Sequence, residues 1–355
     1  MNINNTKTIL VTGGAGFIGS HTSLVLLEKG YNIIVVDSLV NSSINSLNNV
    51  KKLLNDKNLR TDEKIEFYKI DLRKKKDLEN IFYDARSKNK KIEAVIHFAG
   101  LKSVPESLSN PLEYWSANFL GSLNLIEIMN KFSCKTIVFS SSASIYGLSN
   151  RKSIPENNLI NPISPYGETK AAIERFLTNI FYASKEWKIA NLRYFNPIGS
   201  HESGLLGEDP KSIPNNIYPR ILGVSTGKFK EIQIFGKDWP TKDGTAIRDY
   251  IHVMDVAEAH LSVLEYLFEE KNQILNLNIG TGKPTTVFEL INTFQKVNHI
   301  KIPYSFSSRR KGDYGLVVAD ISLITKLVNW KAKRSLEQMC KDGWNWQKKY
   351  PNGYI

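Results

Sequence analysis

Short runs of branched apolar residues recur through the first half of the chain, at Thr8–Thr12, Ile33–Asp37, Ile65–Ile70, Ala94–Phe98, Thr136–Ser140 and Ile189–Arg193. Several are apolar almost without interruption, as expected of strands covered on both faces. Between them lie longer stretches with helical spacing of apolar residues, near Ile18–Lys29, Lys75–Ser87, Pro111–Phe132 and Tyr166–Ser184. Gly30 stands where a helix C-cap would. This alternation predicts βαβ units, an α/β architecture on a parallel sheet. After Arg193 the texture changes. Residues 195–250 are rich in Gly, Pro, Asn and Asp, which predicts a smaller, loop-rich unit formed around a ligand. A division into 1–193 and 194–355 follows, with a soft boundary because later segments can return to the first unit. The polar stretch from Ser42 to Glu63 is longer than its place between two strands needs and carries no functional signal.

Composition narrows the possibilities. A chain of 355 residues can hold two joined cores, since single cores stop growing at roughly 250–300 residues. No apolar run approaches the ~18 residues needed to span a bilayer, and Met1–Thr8 is polar, so neither a membrane partner nor a leader peptide is expected. Two cysteines, Cys134 and Cys340, do not make a disulfide framework, and a cytoplasmic location is expected. The net charge of +12 comes from scattered lysines such as Lys51-Lys52 and Lys74–Lys76, which read as solvated faces. No nucleic-acid partner and no metal are expected; a basic surface does help attract a small anionic substrate.

The first strand runs into Gly13-Gly14-Ala15-Gly16-Phe17-Ile18-Gly19. Gly13 permits a tight turn, Gly16 lets backbone approach a pyrophosphate, and Gly19 allows a helix to pack closely on the strand, with the helix N-terminus facing the phosphates. Asp37 ends the second strand, 18 positions after Gly19, the spacing of a carboxylate that binds adenosine ribose. A structural turn followed by a surface Asp is the plainer alternative. The strand–turn–helix context favours a Rossmann-type, doubly wound sheet, and the carboxylate favours NAD over its 2′-phosphorylated form. Asp71 and Phe98-Ala99-Gly100 end the third and fourth strands, on the edge where such a cofactor lies.

Tyr166 and Lys170 share one face at the start of a helix, the only Tyr–Lys pair at that spacing among 15 tyrosines. Ser140-Ser141-Ser142 place hydroxyls at the rim of the same sheet. Beside an ammonium and a positive nicotinamide, the Tyr166 phenol is expected to fall from about 10 toward working pH and serve as general base. Ser142 would hydrogen-bond the substrate hydroxyl. Without the glycine turn, a capping serine and a surface Tyr–Lys pair would explain these residues equally well.

With these features in this order, the chain resembles the extended short-chain dehydrogenase/reductase family and, within it, the UDP-galactose (UDP-glucose) 4-epimerases. The segments are Val11–Thr22 (VTGGAGFIGSHT), Val95–Lys102 (VIHFAGLK), Phe139–Gly147 (FSSSASIYG), Ser164–Lys170 (SPYGETK), Leu192–Gly199 (LRYFNPIG), Gly207–Asn216 (GEDPKSIPNN) and Asp243–Val256 (DGTAIRDYIHVMDV). The resemblance implies an NAD-binding first unit and a nucleotide-sugar-binding second one. Tyr166 would take the proton of the sugar 4-hydroxyl while tightly held NAD takes hydride from carbon 4. The keto sugar then turns over and receives the hydride on its other face. Lys170 would also hold the nicotinamide ribose.

For the cofactor, the resemblance implies Gly13, Gly16, Phe17, Ile18, Gly19, Asp37, Asn41, Asp71, Leu72, Phe98, Ala99, Lys102, Asn118, Ser140 and Phe195, besides Tyr166 and Lys170. For the UDP-sugar it implies Ser142, Asn196, Asn215, Asn216, Ile217, Phe235, Arg248, Arg310, Asp313 and Val317, the arginines suiting a diphosphate. A bulky tyrosine matches Val317 in the bacterial form restricted to glucose and galactose. The smaller valine predicts room for an N-acetyl group at carbon 2. A helix-paired homodimer is expected from helices near 111–132 and 166–184. Two other readings compete. A nucleotide-sugar 4,6-dehydratase would carry an Asp–Glu pair where this chain has Ala143-Ser144, and a non-catalytic NAD sensor would usually lose the Tyr–Lys pair.

Overall fold

The computed structural model describes residues 6–59, 64–147, 151–211, 214–310 and 314–354. The six predicted strands form with small changes at their ends: β1 (Thr8–Thr12), β2 (Asn32–Asp37), β3 (Ile65–Lys69), β4 (Ile92–His97), β5 (Thr136–Ser142) and β6 (Lys188–Tyr194). They join a seven-stranded, all-parallel sheet whose other edge strand is Ile274–Ile279, in the order Ile274–Ile279, β6, β5, β4, β1, β2, β3. The last strand therefore comes from far beyond residue 193.

Both faces of the sheet are covered, which is why its strands lack alternation. One face packs α1 (Phe17–Lys29), α2 (Ile44–Asp56) and the helix Val253–Glu269, through Leu24, Leu54, Val256 and Val263. The other packs α3 (Lys75–Ser87), α6 (Gly121–Lys131) and α7 (Pro165–Ala183), through Ile81, Leu125, Ile173 and Leu177. Gly30, at φ 103°, closes α1 as a left-handed cap. Ser164 caps α7 by accepting from the Gly167 N–H, and Pro165 suits its first turn.

Two expectations change. The polar stretch after Ser42 contains α2, whose Leu47, Val50, Leu53 and Leu54 are buried at helical spacing. Its Asn49 side chain reaches the Leu205 carbonyl and the Tyr350 hydroxyl, so it ties the sheet layer to the C-terminal segments. The single helix expected over Pro111–Phe132 is broken: α4 (Val104–Ser109) and α5 (Pro111–Tyr114) precede a π-helical turn, Trp115–Leu120, before α6 begins. The wide turn holds Asn118, whose buried side chain is committed to the loop after β4.

A second hydrophobic cluster joins α8 (Ile217–Ser225) to the helices Val287–Asn298 and Leu336–Lys349 through Tyr218, Ile221, Phe294 and Met339. Among the described residues no helix is long and apolar enough to cross a membrane.

The glycine turn is sterically tight. A Cβ on Gly19 would lie 2.2 Å from the Gly13 carbonyl oxygen and 2.7 Å from the Gly14 Cα. Both are backbone atoms and cannot rotate away. Gly19→Ala is therefore expected to lower unfolding stability by about 2 kcal/mol, read from the urea midpoint at unchanged slope. A midpoint equal to that of the parent would show that the turn relaxes freely.

Candidate active site

Every strand of a parallel sheet ends on the same edge, and here that edge opens onto a cleft of about 1110 Å³. Gly13, Gly16, Phe17, Ile18 and Gly19 line it at the end of β1. Gly13 has φ 69° and donates its N–H to the Val36 carbonyl (2.7 Å), so the turn is held against β2. Asp37, nearly buried, accepts from the Ala15 N–H (3.0 Å), the Leu39 N–H (2.9 Å) and the Ser42 hydroxyl (2.7 Å). Its carboxylate thus braces the glycine turn as well as facing the cleft. Asp71 also lines the cleft, bound bidentately by Arg73, whose guanidinium holds that carboxyl below its ordinary value.

Asn41, Leu72, Phe98, Ala99, Lys102, Ser140 and Phe195 complete this half of the wall. Asn118 does not line the cleft. Its side chain accepts from the Leu101 N–H (2.7 Å) and donates to the Leu101 carbonyl (3.1 Å) and the Thr169 hydroxyl (3.1 Å), behind the wall. It therefore ties the Phe98–Lys102 loop to α7.

At the end of β5 the expected trio comes together. Ser142 stands close enough to the Tyr166 hydroxyl to draw that phenol downward, and Lys170 Nζ donates to the Ser140 carbonyl at 2.8 Å. The ammonium lies 5.9 Å from the Tyr166 ring centroid and 4.9 Å from that of Phe139. Burial pushes the Tyr166 phenol above its ordinary 10.0, with Ser142 pulling the other way, and burial lowers Lys170 to about 8. The reason is that Lys170 aims at a backbone carbonyl while both groups lose water. The chain's own residues do not supply a depressed tyrosine; only a further positive charge in the cleft would.

The second half of the chain closes the cleft. Asn196 sits on a short strand, Asn196–Ile198, paired with Tyr250–His252. Asn216 and Ile217 begin α8. Arg248 pairs in register with Val317 and donates to the Ile247 and Tyr314 carbonyls. The Arg310 guanidinium stacks 3.7 Å above the Phe235 ring. Asn196, Asn215, Asn216, Ile217, Phe235, Arg248, Arg310 and Val317 all line the cleft, whereas Asp313 lies outside the described residues.

Two features escaped the sequence. Residues 207–211 and 215 touch both rims: Glu208 bonds Lys102 at 2.7 Å, Lys211 reaches the Leu39 carbonyl and Asn41, and Asn215 reaches Ser103. Beside Phe195, Tyr194 lines the cleft and bonds the buried His260. Neither contact has a signal at sequence spacing, because each joins residues more than 60 positions apart.

A family model described as GDP-mannose 4,6 dehydratase matches residues 10–343. The chain is 45% identical over 348 residues to UDP-glucose 4-epimerase 2 of Arabidopsis thaliana, covering 98% of this chain and 97% of that one. The chain belongs to the UDP-glucose 4-epimerase family. The family member of Bacillus subtilis is likewise 45% identical, with 98% of each chain covered. A UDP-glucose 4-epimerase of Stenotrophomonas maltophila, solved with NAD and formylated UDP-arabinopyranose, superposes with a TM-score of 0.91 at 38% identity, covering 97% of this chain and 99% of that one. The dehydratase description and the epimerase relatives share one architecture, so the choice between their chemistries rests on side chains at the end of β5.

Ser142→Ala is expected to raise the Tyr166 phenol further, because it removes the one group that lowers it. A titration by NMR of ring-labelled tyrosine, with Tyr166→Phe assigning the signal, reads this directly. An unmoved signal would show that the hydroxyls do not meet.

Proposed function

We propose that this chain interconverts UDP-glucose and UDP-galactose, and also the corresponding N-acetylated pair, by transient oxidation at carbon 4 with tightly bound NAD. The observation that carries the reading is the convergence of Ser142, Tyr166 and Lys170 on one wall of a cleft whose adjoining wall is the glycine turn. When bound, the dinucleotide supplies a hydride acceptor and a positive nicotinamide, and the latter offsets the burial that raises Tyr166. The residues suit it: glycines at 13, 16 and 19 let the turn pack tightly on neighbouring backbone, and the N–H groups opening α1 would face its phosphates.

Tyr166 is the base that takes and returns the 4-hydroxyl proton, and Ser142 orients that hydroxyl. Arg248 and Arg310 hold the diphosphate, with Phe235, Asn216 and Ile217 around the nucleotide. A sugar gripped mainly through its nucleotide is free to turn over. The contacts that Glu208, Lys211 and Asn215 make with both rims of the cleft favour retention of the dinucleotide between half-reactions. Ala143 and Ser144 occupy a 3-10 turn on the cleft wall and bring no acid for eliminating water, which argues against a 4,6-dehydratase.

A cytoplasmic homodimer is part of the same reading. Leu108, Leu112 and Tyr182, on α4, α5 and α7, are exposed by 62%, 85% and 67%, apolar surface that a helix-paired interface would cover.

Purified protein incubated without added NAD should convert UDP-galactose and UDP-N-acetylgalactosamine to their 4-epimers, followed by NMR. No conversion of either, even with NAD added, rejects the epimerase. Tyr166→Phe is expected to keep bound NAD and lose at least about 100-fold in kcat; near-parental turnover would remove Tyr166 as the base. Val317→Tyr should abolish conversion of the acetylated pair alone, and equal activity on both pairs would show that this position does not set the sugar pocket.

A further inference from the structure

Tyr166, Lys170 and Glu174 stand one turn apart on α7, and each engages one of the three successive serines that end β5. Lys170 donates to the Ser140 carbonyl at 2.8 Å, Glu174 Oε1 accepts from the Ser141 hydroxyl at 2.5 Å, and Ser142 lies near enough to the Tyr166 phenol to lower it. Tyr166 and Lys170 belong to the proposed chemistry; Glu174 does not reach the cleft. It is 3% exposed, and a carboxylate that deep needs a reason to be there.

Its partner is Arg193 on β6, 1% exposed, which donates through Nε at 3.0 Å to Oε1 and through Nη2 at 2.6 Å to Oε2. The same guanidinium donates to the Tyr146 hydroxyl (3.0 Å) and the Glu156 carbonyl (2.7 Å). Tyr146 in turn donates to Asn278, whose amide reaches the Ile154 and Asp320 carbonyls. A chain of bonds thus runs from the middle serine, through α7 and β6, to the segments beside Val317.

We propose that Glu174, together with Arg193, is a positioning residue of the epimerase: it fixes the serine-bearing end of β5 against α7 and places a negative charge one helical turn from Lys170. The proposal rests on the epimerase reading above. Glu174 stands at the right distance for both tasks. Its bond to Ser141 sets the height of the strand end, so Ser140 and Ser142 meet Lys170 and Tyr166. Its carboxylate is the one group that raises the Lys170 ammonium against the lowering by burial.

The other titratable groups near this pair do not replace it. Tyr166 on the same helix is held protonated by burial, and His97 on β4 is lowered to about 3 and therefore neutral. Around Glu174, Arg193 on β6 stays charged and Tyr146 is raised to about 12. With the carboxylate gone, Lys170 is left beside a buried guanidinium and a neutral glutamine. Its proton is then lost at lower pH, so any limb of the rate that needs the ammonium moves toward acid.

The test is the pH dependence of kcat and KM on UDP-galactose for holoenzyme carrying Glu174→Gln. The expected result is kcat lower by about 10-fold at pH 8, KM within about twofold of the parent, and the alkaline limb displaced by about 1 unit toward acid. Ser141→Ala keeps the ion pair and is expected to lower kcat by about threefold with the limb in place. Should Glu174→Gln not fold, the double variant Glu174→Gln/Arg193→Gln removes both buried charges and carries the same expectation for the limb. A folded variant with an unmoved limb and parental kcat overturns the proposal, as does a change confined to KM. Parent enzyme measured beside the variants separates the two claims, because absence of turnover there rejects the epimerase reading instead.

Discussion

A parallel sheet covered on both faces exposes the turns that follow and precede its strands only at its two ends. In this chain seven strands point the same way, and helices seal both faces with apolar side chains. All chemistry is forced to the carboxyl edge, where each strand must be followed by a turn, and where the turn residues are free to be polar. The glycine turn, Asp37, Asp71, Phe98 and the three serines are the ends of five of these strands. Their convergence follows from one constraint on strand direction.

What holds the edge in shape is a set of polar contacts made between neighbouring turns. Asp37 fastens the loop after β2 to the glycine turn, Asn118 fastens the loop after β4 to α7, and Glu174 fastens the end of β5 to α7 and β6. Each uses a buried or nearly buried side chain with several partners, so each is costly to leave unsatisfied and specific in geometry. This gives the cleft the rigidity that hydride and proton transfer at one carbon require, while the sugar end remains lined by short strands and loops. On the proposed reading, the nucleotide is held firmly and the hexose loosely because different parts of the cleft face the two.

Electrostatics at Tyr166 divides the work between protein and cofactor. Burial raises the phenol and lowers Lys170, so the protein by itself keeps the tyrosine protonated. On the proposed reading, a base that needs the positive nicotinamide to lose its proton works only with the hydride acceptor in place.

The sheet, the glycine turn and the Tyr–Lys helix were legible in the sequence because each is written in local spacing: continuous apolar runs, glycines three apart, and a pair four apart on a helix. α2 was missed, although Leu47, Val50, Leu53 and Leu54 stand at helical spacing, because its polar face masked the period. Only the tertiary structure decided the rest. It showed that Ile274–Ile279 completes the sheet, that a helix near Asn118 breaks into a π turn, that Lys102 bonds Glu208, and that Glu174 is buried against Arg193. Sequence spacing reports which residues share a strand or a helix face. It is silent on which distant face meets it, and those contacts, made by residues up to hundreds of positions apart, set the burial and the charge on which the chemistry turns.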